Sequence, residues 1–228
     1  MRALILAGGF GKRLMPLTRN IPKAMVSVGG KPVIYWQIKW LRSLGIKRFV
    51  LLGGHKSEKL VKYIKSIGYS DQFEFSIEKR PLGSAGALKN AEKILRDDEK
   101  FIMVNGDNVT DIDIRKLRLS GKSLCCVALK PYRSRSGIAK VKGNMVTYFE
   151  EKPILKGYWN NLGVTLISRN LLKSLPREGS LELDVFPKLI RQRKLACATF
   201  RKGYHRAVDT FKDYQEINRD LRSRKVRI

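Results

Sequence analysis

Acidic residues are scarce in this sequence. Asp and Glu number 20 against 47 Lys and Arg, so the formal net charge is +27. A positive field of this size concentrates anions at the protein surface and favours anionic partners. Nucleic acids and polyphosphate substrates are both candidates. The cations are scattered along the chain, and we interpret most of them as a solvated surface.

Histidine, cysteine and long apolar runs are also scarce. With two His and three Cys, a His-based metal cluster is not expected, and no Cys spacing resembles a zinc site. Cys125 and Cys126 are neighbours in a predicted strand and should point to opposite faces. The first apolar run is too short for a signal peptide or a membrane-spanning helix. We therefore expect a cytoplasmic protein without a membrane partner.

Apolar runs alternate with helical patterns in the first half of the chain, which is typical of parallel βαβ units. They predict strands over residues 2–7, 47–52, 73–77 and 101–104, and helices over 32–44, 57–67 and 84–96. Ser57 is predicted to cap the second of these helices. The second half has predicted strands over 123–129 and 161–168, a hairpin that turns at Gly143-Asn144, and helices near 181–193 and 211–222.

These elements predict an α/β fold, with a Rossmann-like mixed, mainly parallel sheet flanked by helices. The 228 residues are enough for a sizeable core. No linker rich in Pro, Gly or Ser divides the chain. We expect a single domain over 1–228, with a nucleotide-binding half over 1–110 and a later half over 111–228 that covers it.

The first predicted strand ends in a glycine loop, at Gly8, Gly9 and Gly11. A dinucleotide-binding loop would need a third glycine where Leu14 stands, and a P-loop would need Ser or Thr where Arg13 stands. Without either motif, the loop still offers glycine backbone that has no side chains and can approach an anion closely. Arg13 adds a fork of donors suited to pyrophosphate. The loop is therefore predicted to bind phosphate.

The segments LAGGFGKRLMPLT, IPKAM and GGKP within residues 3–32 resemble the signature of the sugar-1-phosphate nucleotidylyltransferases. The resemblance continues through PLGSAGAL at 81–88, NGD at 105–107, FEEKP at 149–153, NNLG at 160–163, SLELDVFPKL at 180–189 and AVDTFKDY at 207–214. It implies Mg²⁺-dependent transfer of a nucleoside monophosphate from a nucleoside triphosphate to a sugar-1-phosphate. The products are a nucleotide sugar and pyrophosphate. Residues 111–228 would then bind the sugar phosphate.

The resemblance also implies roles for the loop and for two cations. Leu6, Ala7, Gly8, Gly9 and Gly11 would bind the nucleotide. Arg13 would stabilise the leaving pyrophosphate, and Lys23, which follows Pro22, would contact the phosphates undergoing transfer. These two are the predicted catalytic residues. Lys12 departs from the threonine that is common in the family.

Two carboxylates are predicted to hold Mg²⁺. Asp107 follows the predicted strand at 101–104 and should lie at the carboxyl edge of the sheet, where open α/β folds bind ligands. A hard carboxylate there suits Mg²⁺. Many relatives place the second carboxylate at the position of Ala207. Others carry a V-D-T arrangement like Val208-Asp209-Thr210, so Asp209 is the predicted second ligand.

The remaining predicted contacts concern the sugar and the base. Lys152 and Glu151 would hold the sugar phosphate and the sugar hydroxyls, and Asn161 and Gly163 would line the sugar site. Glu78 and Gly83 correspond to positions that read the base. A carboxylate at Glu78 could accept two hydrogen bonds from guanine. This favours GTP with a mannose- or heptose-type sugar, and leaves thymidylyl or uridylyl transfer to glucose-1-phosphate as the alternative.

Two other classes of function remain open at this stage. A basic nucleic-acid-binding protein would use the +27 charge, but no helix-turn-helix, zinc finger or RNA-recognition motif is visible, so nucleic acid is not the expected partner. A sensor that binds nucleotide without turnover is the second alternative, because Ala207 departs from the family pattern. The resemblance leaves a homodimer open.

Overall fold

A computed structural model describes residues 1–228 of the chain, and its elements form an α/β fold. The strands are β1 (Arg2–Ala7), β2 (Ser27–Val28), β3 (Lys31–Pro32), β4 (Phe49–Gly53), β5 (Phe73–Ile77), β6 (Lys100–Asn105), β7 (Asn108–Thr110), β8 (Cys125–Arg133), β9 (Ile138–Lys142), β10 (Met145–Glu150), β11 (Ile154–Ser168), β12 (Leu195–Thr199) and β13 (His205–Ala207). The α-helices are α1 (Val33–Ser43), α2 (Ser57–Ser66), α3 (Gly83–Asn90), α4 (Phe186–Arg191) and α5 (Phe211–Arg222).

Seven strands form the central sheet in the order β12-β8-β11-β6-β1-β4-β5. The pairs β6–β1, β1–β4, β4–β5 and β12–β8 are parallel, whereas β11 runs antiparallel to both β6 and β8. The predicted mixed, mainly parallel sheet flanked by helices is therefore confirmed. Strands from both halves of the chain share this one sheet.

The core lies on both faces of the sheet. Along β1, Ala3 and Ile5 belong to one apolar cluster and Leu4 belongs to the other. Cys126 and Cys125 divide in the same way, as the two-residue period of a strand requires. A strand buried on both faces must be apolar at every position, which explains the unbroken run at the start of the chain.

Several predicted elements agree with the structure at their ends. The strand over Phe73–Ile77 and the helix over Phe211–Arg222 have the predicted bounds. The hairpin turns at Gly143-Asn144, where Gly143 has a φ of 57°. Helix α1 begins after Pro32 and ends before Gly45, whose φ of 86° leaves the helical region.

Other predicted elements need correction. Ser57 is the first residue of α2 and makes no capping hydrogen bond, because Lys56 precedes the helix in a left-handed conformation. Helix α3 ends at Asn90, six residues before the predicted end at 96. The helix predicted over 181–193 is divided into a π-turn over Leu181–Val185 and α4. Strand β12 and the short β7–β13 ladder were missed altogether. No helix has the length and apolar character needed to cross a membrane.

Candidate functional site

The glycine loop and Asp107 meet at the carboxyl edge of the sheet because β1 and β6 are parallel neighbours. Gly106 Nα donates a hydrogen bond of 2.8 Å to Leu6 O, which joins the two strand ends. A Cβ at Gly106 would lie only 2.6 Å from that carbonyl oxygen, so a residue without a side chain is required for this approach. Asp107 is thereby held beside the loop.

The loop itself folds back over the sheet edge. Gly11 has a φ of 64°, and its carbonyl accepts a 2.8 Å hydrogen bond from Thr18 Oγ1. A single 3₁₀ turn over Lys12–Leu14 follows, with Leu14 buried as its anchor. Arg13 is left with 72% of its side chain exposed, so most of its guanidinium is available to an anion.

The glycine loop, the 3₁₀ turn and the segment around Asp107 enclose a first cleft of about 330 Å³. Its lining includes Leu6, Ala7, Gly9, Gly11, Lys12, Arg13, Lys23, Asn105, Asp107 and Asp209. The structure therefore brings together the two predicted catalytic cations, the two predicted metal carboxylates and most of the predicted nucleotide loop. Asn105 is an additional lining residue that the sequence analysis did not single out, although it opens the N-G-D motif.

Lys23 lies between the two carboxylates of this cleft. Its Nζ is 2.5 Å from Asp107 Oδ2 and 2.6 Å from Asp209 Oδ1, so these two oxygens can be at most 5.1 Å apart, the sum of the two distances. Arg13 Nη2 donates to Asp209 Oδ1 at 2.9 Å. Four charged groups, two of each sign, therefore share one point at the edge of the sheet.

Asp209 reaches this point through the β7–β13 ladder. Strand β7 follows Asp107 and pairs with β13, and Val208 Nα donates to Asp107 O at 2.9 Å. Asp209 is not the cap of α5, because Thr210 caps that helix in a capping box with Asp213. The Asp209 carboxylate is therefore free of a structural role in the helix and faces the cleft.

The environment of Asp209 favours its ionised form. Burial alone would raise the pKa of this carboxyl, but the hydrogen bond from Lys23 and the charges of Lys23, Arg13 and Arg135 lower the pKa below its ordinary value. The carboxylate is therefore available as an anionic metal ligand at neutral pH.

The donor set at this point suits Mg²⁺. Nowhere in the described chain do three or more His, Cys, Asp or Glu side chains converge as a metal-holding group. Mg²⁺ in nucleotide enzymes is held by one or two carboxylates together with phosphate oxygens and water, so a complete protein cage is not needed. Asp107 and Asp209 already share a cation in the Lys23 ammonium. Ala207 lies in β13 and offers no ligand atom.

Glu78 lines a separate cleft of about 230 Å³, here named the third cleft. Gly8, Phe10 and His55 line it as well. Glu78 Oε2 accepts a 3.1 Å hydrogen bond from Leu82 Nα, and burial raises the pKa of the carboxyl although this hydrogen bond opposes the rise. Gly8 belongs to this cleft and not to the first.

Gly83 does not line any of these clefts. It has a φ of 74°, and a Cβ there would lie 2.3 Å from Gly179 O. Ala85 Nα donates to the same carbonyl at 2.9 Å. Close packing of α3 on the segment before the π-turn therefore accounts for a glycine at this position, which lies outside the clefts.

A second cleft, of about 670 Å³, opens from the first and shares Asp209 with it. Asn161 lines it, and its Oδ1 accepts a 3.0 Å hydrogen bond from Gly163 Nα. Gly163 has a φ of 63°, and a Cβ there would lie 2.5 Å from Asn105 Nδ2. The predicted sugar-site residues Asn161 and Gly163 are therefore both close to the first cleft.

His205 forms part of the second cleft, and the sequence analysis missed it. Its Nε2 donates to Leu162 O at 2.8 Å. Burial lowers the pKa of the imidazole to about 4, although the hydrogen bond with Leu162 acts in the opposite direction and raises the pKa. The ring is therefore neutral at physiological pH. No sequence signal marks it, because its pairing with β7 is a tertiary contact.

The structure does not bring Glu151 and Lys152 into a cleft. They form an ion pair of 3.1 Å with each other, and more than half of each side chain is exposed. They follow β10, and Lys152 has a left-handed φ of 50°. The Lys152 carbonyl accepts a 3.0 Å hydrogen bond from Arg133 Nη1. Both residues therefore lie outside the three clefts, and their contacts with the sugar stay predictions.

The fold and the first cleft are those of an α/β protein that can bind phosphorylated ligands at the carboxyl edge of its sheet. A family model described as nucleotidyl transferase matches residues 2–224. The chain belongs to that family, and the resemblance of its motifs is thereby confirmed.

Relatives within the family carry guanylyltransferase names. The chain is 35% identical over 208 residues to the mannose-1-phosphate guanyltransferase of Emericella nidulans, which covers 86% of this chain and 57% of that protein. It is 33% identical over 189 residues to the D-glycero-alpha-D-manno-heptose 1-phosphate guanylyltransferase of Campylobacter jejuni, covering 82% of this chain and 84% of the relative. The chain thus spans little more than half the length of the fungal relative.

A solved structure with the same fold is HddC from Yersinia pseudotuberculosis. The two align with a TM-score of 0.77 and 28% sequence identity over 96% of this chain and 99% of the other. A second crystal structure of HddC is a complex with GMP-PN.

Proposed function

We propose that this chain transfers a nucleoside monophosphate from a nucleoside triphosphate to a sugar-1-phosphate and releases pyrophosphate. The observation that carries the proposal is the convergence of Arg13, Lys23, Asp107 and Asp209 in the first cleft, beside a glycine loop. Guanylyltransferase names among the relatives support the reaction class.

The reaction needs positioning and charge neutralisation more than a strong base. An oxygen of the sugar phosphate is already anionic at neutral pH and attacks the α-phosphorus as the bond to pyrophosphate breaks. The protein must hold two polyanions together and stabilise the charge that develops on the leaving group. Arg13 donates a hydrogen bond from one nitrogen, Nη2, to Asp209, and the rest of its guanidinium is available to bind the pyrophosphate.

Asp107 and Asp209 would hold Mg²⁺, and the bound ion would supply positive charge to the phosphate oxygens. Lys23 delivers a further positive charge at the same point of the cleft. The backbone of Leu6, Ala7, Gly9 and Gly11 lies along the phosphate path, since these residues line the cleft on the side of β1.

We assign the base to the third cleft and guanine as the preferred base. The Glu78 carboxylate there could accept hydrogen bonds from N1–H and N2–H₂ of guanine, whereas uracil or thymine would be better matched by an amide. The guanylyltransferase names of the relatives support this choice. Thymidylyl or uridylyl transfer stays the alternative. For Gly83 we propose a packing role against Gly179.

We assign the sugar phosphate to the second cleft, with Asn161 and Gly163 in the wall nearest the first cleft. A mannose- or heptose-type sugar is the first choice because of the relatives' names. Glu151 and Lys152 would have to move toward the cleft to take their predicted roles. Residues 1–228 act as one catalytic domain in this proposal, which the shared seven-stranded sheet supports. The cytoplasmic location and the homodimer stay predictions.

The test is pyrophosphate release with Mg²⁺, each of GTP, UTP, TTP, CTP and ATP, and a panel of sugar-1-phosphates. We expect release with GTP and mannose- or heptose-1-phosphate. Asp107→Asn should lower kcat/KM by at least about 100-fold, since a charge that stabilises the transition state is lost. Asp97→Asn is the matched control because Asp97 is 76% exposed and lies outside the three clefts.

Each outcome has a distinct meaning. The absence of pyrophosphate release with every nucleotide and acceptor would overturn the proposal. Calorimetric binding of GTP without turnover would then point to a nucleotide sensor. Salt-dependent binding of duplex DNA that is equal in the wild type and in Asp107→Asn would point to a nucleic-acid-binding protein.

A further inference from the structure

The second cleft contains more positive charge than the single phosphate of a sugar-1-phosphate requires. Lys130, Arg133, Arg135, Arg201 and Arg206 all line it. A sugar-1-phosphate would bring one phosphate ester, which carries a charge of about −1.5 to −2 at neutral pH. Several cations would therefore surround a ligand with a single anionic group.

Only one of these cations is neutralised by the protein. Arg206 forms ion pairs with Asp213, Glu216 and Asp220 of α5. Lys130, Arg133, Arg135 and Arg201 take part in none of the ion pairs of the chain, and the nearby Lys152 pairs with Glu151 instead. Like charges around one cleft repel each other, so an anionic ligand would relieve this repulsion.

Neutral contacts hold some of the unpaired cations in place. Lys130 Nζ donates to Gly203 O at 2.7 Å, and the Arg201 guanidinium lies 5.4 Å from the centre of the Trp159 ring. Arg133 donates to the Lys152 carbonyl. These contacts orient the side chains without cancelling their charge. The cations are thus positioned toward a ligand in a way that freely solvated surface lysines are not.

The unpaired cations belong to different walls of the cleft. Arg135 lines the second cleft together with Asp209, the residue that this cleft shares with the first. Arg201 instead belongs to the loop that follows β12 and packs against Trp159 of β11, and Lys130 donates a hydrogen bond to Gly203 of the same loop. The first wall adjoins the point of phosphate transfer. The second would face the body of the sugar.

We propose that the acceptor is a sugar-1-phosphate with a second anionic group, a carboxylate or a phosphate ester, bound by Lys130 and Arg201. This inference rests on the proposed function, because it takes the second cleft as the acceptor site. The first phosphate lies on the side of Asp209 and Arg135, and Asn161 serves the hydroxyl groups between the two anions.

The test compares three acceptors in the manno and gluco series: the sugar 1-phosphate, the sugar 1,6-bisphosphate and the uronic acid 1-phosphate. With GTP and Mg²⁺ held constant, kcat/KM for pyrophosphate release should be at least about tenfold higher for one of the doubly anionic acceptors, as a charge-assisted hydrogen bond is worth about that factor. The doubly anionic acceptor with the higher kcat/KM identifies the second group as a phosphate or a carboxylate.

Substitutions then locate the effect. Lys130→Met and Arg201→Gln should each bring the ratio of doubly to singly anionic acceptor toward one. Lys202→Met is the matched control, since Lys202 is an exposed neighbour of Arg201 outside the cleft and the same unit of charge is removed. An equal fall of this ratio in Lys202→Met would overturn the inference, because the effect would then come from the overall positive charge and not from two particular side chains. A wild type that prefers the sugar 1-phosphate over both doubly anionic acceptors would overturn it as well.

Direct binding separates this inference from the proposed function. If no acceptor is turned over, the proposed reaction fails, and calorimetry with mannose 1-phosphate, mannose 1,6-bisphosphate and mannuronic acid 1-phosphate still decides the inference. Tighter binding of one of the two doubly anionic sugars, lost in Lys130→Met and kept in Lys202→Met, would sustain it. Equal affinity for all three sugars would refute it.

Discussion

Acidification should destabilise this protein through His205. The ring lies in β13 against the second cleft, where Nε2 donates to Leu162 O at 2.8 Å. Burial, with the nearby charge of Lys130, lowers the pKa of the folded state to about 4, against 6.5 for the free side chain. Replacement by Gln removes the titrating group and keeps a donor for the carbonyl.

The sign and size of the effect follow from proton linkage. Between pH 6.5 and about 4 the unfolded chain binds a proton at this position that the folded chain does not bind, so stability falls as the pH falls through that window. Integration of the two titration curves from about pH 7.5 to about pH 5 gives a loss of about 2 kcal/mol from this residue alone. Contributions from the other residues are common to both proteins and cancel in the comparison.

The assay is urea unfolding of the wild type and of His205→Gln at about pH 7.5 and about pH 5. The wild type should lose about 2 kcal/mol more than the variant on acidification. NMR titration of the two histidines provides an independent reading of the folded-state pKa. An equal loss of unfolding free energy in both proteins would refute the assignment of a neutral, half-buried imidazole.

Three further predictions concern the base site and the backbone around the clefts. Glu78→Gln should lower kcat/KM for GTP by at least about tenfold, because a charged acceptor for guanine is lost, and should affect UTP or TTP less; an equal fall for all nucleotides would contradict the base assignment. Gly83→Ala should destabilise the fold by at least about 2 kcal/mol in chemical denaturation, since a Cβ there would meet Gly179 O in a left-handed conformation. Unchanged stability together with lost activity would instead restore Gly83 to the nucleotide site. Thr210→Ala should cost about 1 kcal/mol through loss of the capping box with Asp213, with a kcat/KM that stays within a few-fold of the wild type.

The sequence by itself determined the elements whose signals are local. The apolar run of β1, the glycine loop after it, the turn at Gly143 and the capped helix α5 are all encoded within a few consecutive residues. The two-residue period separated Cys125 from Cys126, and the structure places them on opposite faces of the sheet. Motif resemblance also marked Arg13, Lys23 and Asp107 as candidates, although it could not show that they meet.

Only the tertiary structure decided which distant side chains share a cleft. Lys23 and Asp209 are 186 positions apart and lie 2.6 Å from each other because the β7–β13 ladder returns the chain to the carboxyl edge of β6. Tertiary packing also places Gly83 against Gly179 outside the three clefts, leaves Lys152 exposed, and brings Lys130 and Arg201 to the same cleft. Strand order and register set these distances. No local periodicity contains that information, because each contact depends on where two separate elements pack.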